Sequence, residues 1–147
     1  MIALGCDHGG FELKESIKKH FDDNNIEYKD FGIHTCESVD YPEIAKIVCN
    51  SIKTSECERG ILVCGTGIGM SIAANKINGI RAACCSDAFT AKYTRLHNDS
   101  NILCLGGRVV GPGLAIELVD LFINTDYEGG RHQNRLDLIS EIEKQNI

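Results

Sequence analysis

The segment Gly60-Ile61-Leu62-Val63-Cys64-Gly65-Thr66-Gly67-Ile68-Gly69-Met70-Ser71-Ile72-Ala73-Ala74-Asn75-Lys76 sets the architecture of everything around it. Its apolar run, residues 61–64, breaks into three alternating glycines and then into small residues at helical spacing. This reads as a buried strand, a tight loop and a helix N-terminus. Glycines let such a loop bring its backbone close to a ligand and turn N–H groups toward it. The helix start aims a partial positive charge at the same spot. An anion, or an oxygen that becomes anionic during a reaction, is expected there. A thiol, Cys64, stands where the strand ends.

Working outward, the chain alternates strand and helix. Residues 1–6 form an apolar strand ending in Asp7-His8-Gly9-Gly10, and Leu13, Ile17 and Phe21 then mark a helix face. Residues 26–31 read as a more polar strand near a sheet edge. Asp40-Tyr41-Pro42-Glu43 reads as a capping box opening a helix with Ile44, Val48 and Ile52 inward. Beyond the central segment, residues 80–85 form the fourth strand. Ser86-Asp87 then open a helix carrying Phe89, Tyr93 and Leu96, which ends at His97-Asn98-Asp99. Residues 102–105 form the fifth strand, followed by Gly106-Gly107-Arg108. Pro112 opens a helix with Leu114, Leu118 and Phe122, and a last helix from about residue 130 to 146 shows Leu136, Ile139 and Ile142. The alternation predicts a three-layer α/β/α Rossmann-like sandwich around a five-stranded parallel sheet, as one domain over residues 1–147. Ligands of such sheets bind beyond the carboxyl ends of the strands. Asp7-His8, Cys64 with its loop, and Gly106-Gly107-Arg108 are expected at those ends.

Composition narrows the function. A chain of 147 residues with 43% hydrophobic and 24% charged content is long enough for a closed core. No apolar run approaches the roughly 20 residues that span a bilayer. The N-terminus lacks the layout of a secretory signal, so the expected compartment is the cytoplasm. A net charge of −6 argues against non-specific nucleic-acid binding. Of eight cysteines, Cys6, Cys64, Cys84, Cys85 and Cys104 fall in strand-like runs, where thiols act as small hydrophobes. With no C-x-x-C pair and no histidine pair at zinc spacing, neither a disulfide framework nor a metal site is expected.

The glycine loop departs from the dinucleotide fingerprint, because Met70 stands where G-x-G-x-x-G needs its last glycine. It departs from the P-loop too, since no G-K-[ST] follows. Taken alone, Asp7-His8 is an ordinary strand terminus and His97-Asn98-Asp99 an ordinary helix end. Arg131 and Arg135 stand four apart, so they share a helix face at a small repulsive cost that a phosphate would turn into attraction. Two solvated arginines is the equal alternative, and Arg108 is open in the same way. Together the pieces suggest proton transfer on a phosphorylated small molecule. Cys64 would be the base, loop N–H groups the oxyanion site, and a histidine the neutral-pH proton shuttle. A non-catalytic sensor of such a phosphorylated molecule should have lost the thiol or the glycines, and a thiol redox protein should carry a resolving cysteine near Cys64.

Gly5-Cys6-Asp7-His8-Gly9-Gly10, Cys64-Gly65-Thr66-Gly67-Ile68-Gly69, Asn75-Lys76, His97-Asn98-Asp99 and Tyr127-Glu128-Gly129-Gly130-Arg131-His132 together resemble type B ribose-5-phosphate isomerase. That family also contains the galactose-6-phosphate isomerase subunits. The resemblance implies cofactor-free, metal-free aldose–ketose isomerisation of ribose 5-phosphate and ribulose 5-phosphate through a cis-enediolate, a step of the non-oxidative pentose phosphate pathway. By analogy Cys64 moves the proton between C2 and C1, Thr66 and the backbone of Gly65, Gly67, Ile68 and Gly69 hold the oxyanion, and His97 assists ring opening. Asp7, His8, Tyr41 and Asn98 would contact the sugar, and His8, Arg108, Arg131 and Arg135 the phosphate. Some relatives carry a carboxylate base just after the third loop glycine; Met70 leaves that task to Cys64. The resemblance also implies a homodimer, or a dimer of dimers, with a pocket at the subunit interface. His97 and the Arg131/Arg135 helix would then come from the second subunit, and the last helix would pack on it. A six-carbon sugar phosphate, such as allose or galactose 6-phosphate, or a free rare sugar, is the alternative substrate.

Overall fold

The computed structural model describes residues 1–146. Five strands, β1 (Ile2–Cys6), β2 (Tyr28–Asp30), β3 (Arg59–Cys64), β4 (Ala82–Cys84) and β5 (Ile102–Gly106), form one sheet in the order β2-β1-β3-β5-β4. Every pairing is parallel. Six helices accompany them among the described residues: α1 (Phe11–Asp23), α2 (Tyr41–Lys53), α3 (Ile68–Asn75), α4 (Ala88–Asn98), α5 (Pro112–Asn124) and α6 (His132–Gln145). The α/β architecture and parallel five-stranded sheet are those expected from the alternation.

The period of two along each strand divides the core into two layers. Ile2, Leu4, Cys6, Ile61, Val63, Leu103 and Leu105 pack with α1, α4 and α5 through residues such as Ile17, Phe21, Ala91, Leu118 and Phe122. Ala3, Leu62, Cys64, Ile102 and Cys104 face the opposite way, against Val48 and Cys49 of α2 and Met70 and Ala74 of α3. Gly5 belongs to this second face. A Cβ there would lie 2.7 Å from a Val48 methyl, so glycine lets α2 settle directly on the sheet.

Sequence reading overran the edge strands. Residues 26–31 contribute only Tyr28–Asp30 to the ladder, and residues 80–85 only Ala82–Cys84. Each of these strands has a single neighbour, so its ladder stops where that neighbour stops pairing. The expected capping box at α2 does not form: the Glu43 N–H donates to the Asp40 backbone carbonyl at 3.2 Å, and the Asp40 side chain makes no capping bond. A capping side chain does open α4, where Asp87 Oδ1 accepts from the Thr90 N–H at 2.8 Å.

The inward face of α4 also differs from the apolar pattern. Phe89 is 67% exposed, and the buried positions are Ala91 and Arg95. A guanidinium can occupy the interior only if its donors are satisfied. Arg95 meets that requirement through the carbonyls of Ser100 and Thr125 and the carboxylate of Asp99. The outward side of α4 is thus left with a row of rings. Phe89 stacks on Tyr93 at 4.1 Å, and His97 meets Tyr93 edge-on at 5.0 Å.

Candidate active site

The carboxyl ends of the three central strands come out level, since Cys6 pairs with Val63 and Cys64 with Gly106. Their loops therefore meet. A Cβ on Gly107 would fall 2.6 Å from the Gly9 carbonyl oxygen, so only a residue without a side chain lets the first and last loops touch backbone to backbone. Gly107 N–H donates to the Cys64 carbonyl at 2.8 Å, and Arg108 N–H to the Gly65 carbonyl at 3.0 Å. Asp7, 7% exposed, uses Oδ1 to accept from the N–H groups of Gly9 and Gly10 at 2.9 and 3.2 Å. His8 and Arg108 are exposed at the same rim.

Cys64 forms the floor of this rim. Its sulfur accepts from the Gly67 N–H at 3.1 Å, and the residue is 4% exposed. Gly67 is the N-cap of α3 with φ of +79°, a left-handed conformation that turns its N–H back onto the sulfur at little cost for glycine. The first intrahelical bond of α3 runs from Ser71 N–H to the Gly67 carbonyl. The N–H groups of Gly69 and Met70 thus precede the helical ladder and lie in the positive end of its dipole. Thr66 is exposed, and its hydroxyl accepts from the Ile68 N–H at 3.3 Å. The Tyr41 ring covers Gly69 so closely that a Cβ there would lie 2.8 Å from it. Met70 is fully buried, and a thioether there can take no proton.

Other thiols show what full enclosure does. Burial pushes Cys6 up to about 11 and Cys49 up to about 12. Cys84 is raised as well, by burial first and then by the neighbouring Cys64 sulfur, and its S–H donates to the Thr66 carbonyl at 3.6 Å.

The remaining site residues lie at the other end of the sheet. Helix α4 starts just past the carboxyl end of β4 and returns antiparallel to it, so its last turn sits beside the amino ends of β4 and β5. Arg81, next to the start of β4, donates to the carbonyls of Asn98 and Asp99 there. Eleven helical residues carry His97 and Asn98 roughly 16 Å from the rim level. A groove of about 290 Å³ follows α4 along this path and is lined by Cys84, Phe89, Tyr93, His97 and Asn98, among others. Within one chain, therefore, Asp7, His8, Tyr41, Cys64 to Gly69 and Arg108 come together, while His97, Asn98, Arg131 and Arg135 form a separate group.

That second group has its own structure. Arg131 and Arg135 are exposed on one face of α6, with Arg135 Nη1 donating to the Arg131 carbonyl at 2.6 Å. His132 lies face to face with His97, centroids 4.1 Å apart and planes at 18°. Both Nε2 atoms approach Glu128 Oε2, at 3.7 Å for His97 and 3.8 Å for His132. Burial, then the charges of His97 and Arg131, push the His132 imidazole below its ordinary value. Sequence reading assigned no role to Glu128 or His132. A signal existed: His132 stands four residues before the buried Leu136, a polar side chain on the inward stripe of its helix.

Comparison with known proteins places this arrangement. Residues 2–139 match the ribose/galactose isomerase family. The chain belongs to that family. Its relatives include ribose-5-phosphate isomerase B of Escherichia coli, 48% identical over 143 residues that cover 97% of this chain and 96% of the relative. A D-erythrulose-4-phosphate isomerase of Pectobacterium atrosepticum is 39% identical over 145 residues, covering 98% and 95%. The solved ribose-5-phosphate isomerase B of Clostridium thermocellum superposes with a TM-score of 0.97 at 49% identity, covering 99% of both chains. That of Mycoplasma genitalium, with ribulose-5-phosphate bound, gives 0.92 at 39% identity, covering 98% and 96%. The protein is a sugar-phosphate isomerase, and no helix among its described residues is long and apolar enough to cross a membrane.

Proposed function

We propose that this isomerase interconverts D-ribose 5-phosphate and D-ribulose 5-phosphate through a cis-enediolate, with Cys64 as the base. The observation that carries this reading is the Gly67 N–H donated to the Cys64 sulfur at 3.1 Å, at the mouth of the glycine loop. That donor fixes the sulfur at the mouth of the loop, and the thiolate is the form of a cysteine that can accept a proton. The thiolate takes the proton from C2 of the open-chain aldose, and the C1 carbonyl oxygen becomes the enediolate oxyanion beside Thr66 and the N–H groups at the start of α3. Returning the proton to C1, with a proton passing from the C2 oxygen to the C1 oxygen, yields the ketose; the reverse sequence regenerates the aldose. Asp7, His8, Tyr41 and Asn98 position the sugar.

The reading assigns ring opening to His97 and phosphate binding to Arg108, Arg131 and Arg135, with His8. Because the two groups lie at opposite ends of one sheet, a second copy supplies the missing half, and the working unit is a homodimer or a pair of them, in the cytoplasm. The exposed Leu138, Ile139 and Ile142 of α6 favour this, since an apolar helix face gains from a covering surface. The test is a kcat/KM panel of four-, five- and six-carbon sugar phosphates and free sugars, run with chelator. The expected result is the highest value for ribose 5-phosphate. A higher value for a four- or six-carbon substrate would overturn the substrate assignment and leave the isomerase class intact.

A further inference from the structure

The pair of stacked histidines beside Glu128 offers more than the isomerase reading uses. His97, Glu128 and His132 each present one ligand atom, and all three atoms lie within 4.8 Å of one another. His132 Nε2 is enclosed and has no hydrogen-bond partner among the described residues, in a residue 7% exposed. A buried ring nitrogen left without a partner is costly, and one aimed at a carboxylate and a second imidazole is placed as a ligand.

From this geometry we infer that His97, Glu128 and His132 form a binding site for a divalent transition-metal ion such as Zn²⁺, and that occupation of the site inhibits the enzyme. Two imidazoles and one carboxylate are a donor set suited to zinc, with a fourth position left for water. In a tetrahedral site with metal–ligand bonds of about 2.1 Å the ligand atoms stand roughly 3.4 Å apart. The observed 3.7 and 3.8 Å separations to Glu128 Oε2 need only a small contraction. The rings lie nearly parallel, so their lone pairs lie in separate, nearly parallel planes, and one ring must tilt to share an ion. His97 can do so, because its side chain is about one-third exposed whereas His132 is held in the interior. The exposed Arg131 and Arg135 oppose a cation, and the single carboxylate offsets only part of their charge. Modest affinity, suited to reversible inhibition, follows. A metal on Nε2 removes the lone pair through which His97 would accept or relay a proton. The inhibition arm therefore rests on the isomerase reading, whereas binding does not.

The test uses the chelator-stripped full chain titrated with Co²⁺, followed by Zn²⁺ competition. The expected result is one Co²⁺ per chain with visible d–d bands and no thiolate-to-metal charge-transfer absorption. Binding should weaken at least tenfold in Glu128→Gln, a change at a half-exposed side chain, and be lost in His132→Ala. Unchanged binding in both variants, or a thiolate charge-transfer band showing capture by cysteine, would overturn the site. In parallel, Zn²⁺ should inhibit turnover of ribose 5-phosphate over the same concentration range as it binds. Binding without inhibition would overturn the inhibitory role and, separately, the assignment of ring opening to His97.

Discussion

At the carboxyl end of the sheet, strands that end level and glycines that let three loops touch gather backbone N–H groups beside the side chains of His8, Thr66 and Arg108. At the amino end the polar groups are side chains on the last turn of α4 and the first turns of α6, and one of them, His132 Nε2, has no partner among the described residues. The first region can hold a charge developing at one fixed point, because its donors are fixed by the fold and need no reorganisation. The second region reaches outward with long, exposed arginines, which suits it to grasping a ligand presented by another surface. On the proposed reading, a single chain contains both halves of a sugar-phosphate site without bringing them together.

The proposed reading assigns proton transfer between C2 and C1 to the rim, and ring opening and the paired-arginine grip on phosphate to the far end, and substitutions can separate the two. Cys64→Ala should have the largest effect, lowering kcat by about 10³-fold or more while substrate still binds, since proton transfer by a positioned group contributes on that scale. Retained turnover would show that another group moves the proton. Replacing both far-end arginines, Arg131→Ala with Arg135→Ala, should raise KM by about 10²-fold, from roughly 1.5 kcal/mol for each charge-assisted bond to phosphate. A drop in kcat at constant KM would remove the phosphate from that end of the molecule.

The smallest expected effect is the most informative about assembly. Cys64→Ala and His97→Ala chains, each impaired alone, should recover activity when unfolded together and refolded as a mixture. Random pairing makes half of the dimers mixed, with one of two sites intact in each, or about a quarter of wild-type activity. No recovery, with mixed dimers demonstrated by mass, would mean that Cys64 and His97 act from the same chain and would reject the shared site.

What could be read from residue order follows from interactions that are local along the chain. The strand, loop and helix of residues 60–76, the glycines around Cys64 and the four-residue spacing of Arg131 and Arg135 all depend on neighbours within a few positions. Their hydrophobic period and backbone freedom carry the information. Parallel pairing followed from the length of the crossovers, and with it the prediction of which loops share the rim. Edge strands escaped this reading because their length depends on a single partner strand. The inward face of α4 escaped it because Arg95 is held by carbonyls of Ser100 and Thr125, groups that no periodicity of apolar residues reveals.

Only the tertiary structure decided that the expected site residues divide into two groups. Cys64 and His97 each end an element pointing the opposite way, and an antiparallel return of eleven residues carries the histidine to the far end of the sheet. The His97–Glu128–His132 cluster is tertiary for the same reason. It exists because α6 folds across the end of α4, setting side chains from two distant segments face to face. Helical periodicity is a property of one segment, whereas proximity between segments is settled by how their buried faces pack.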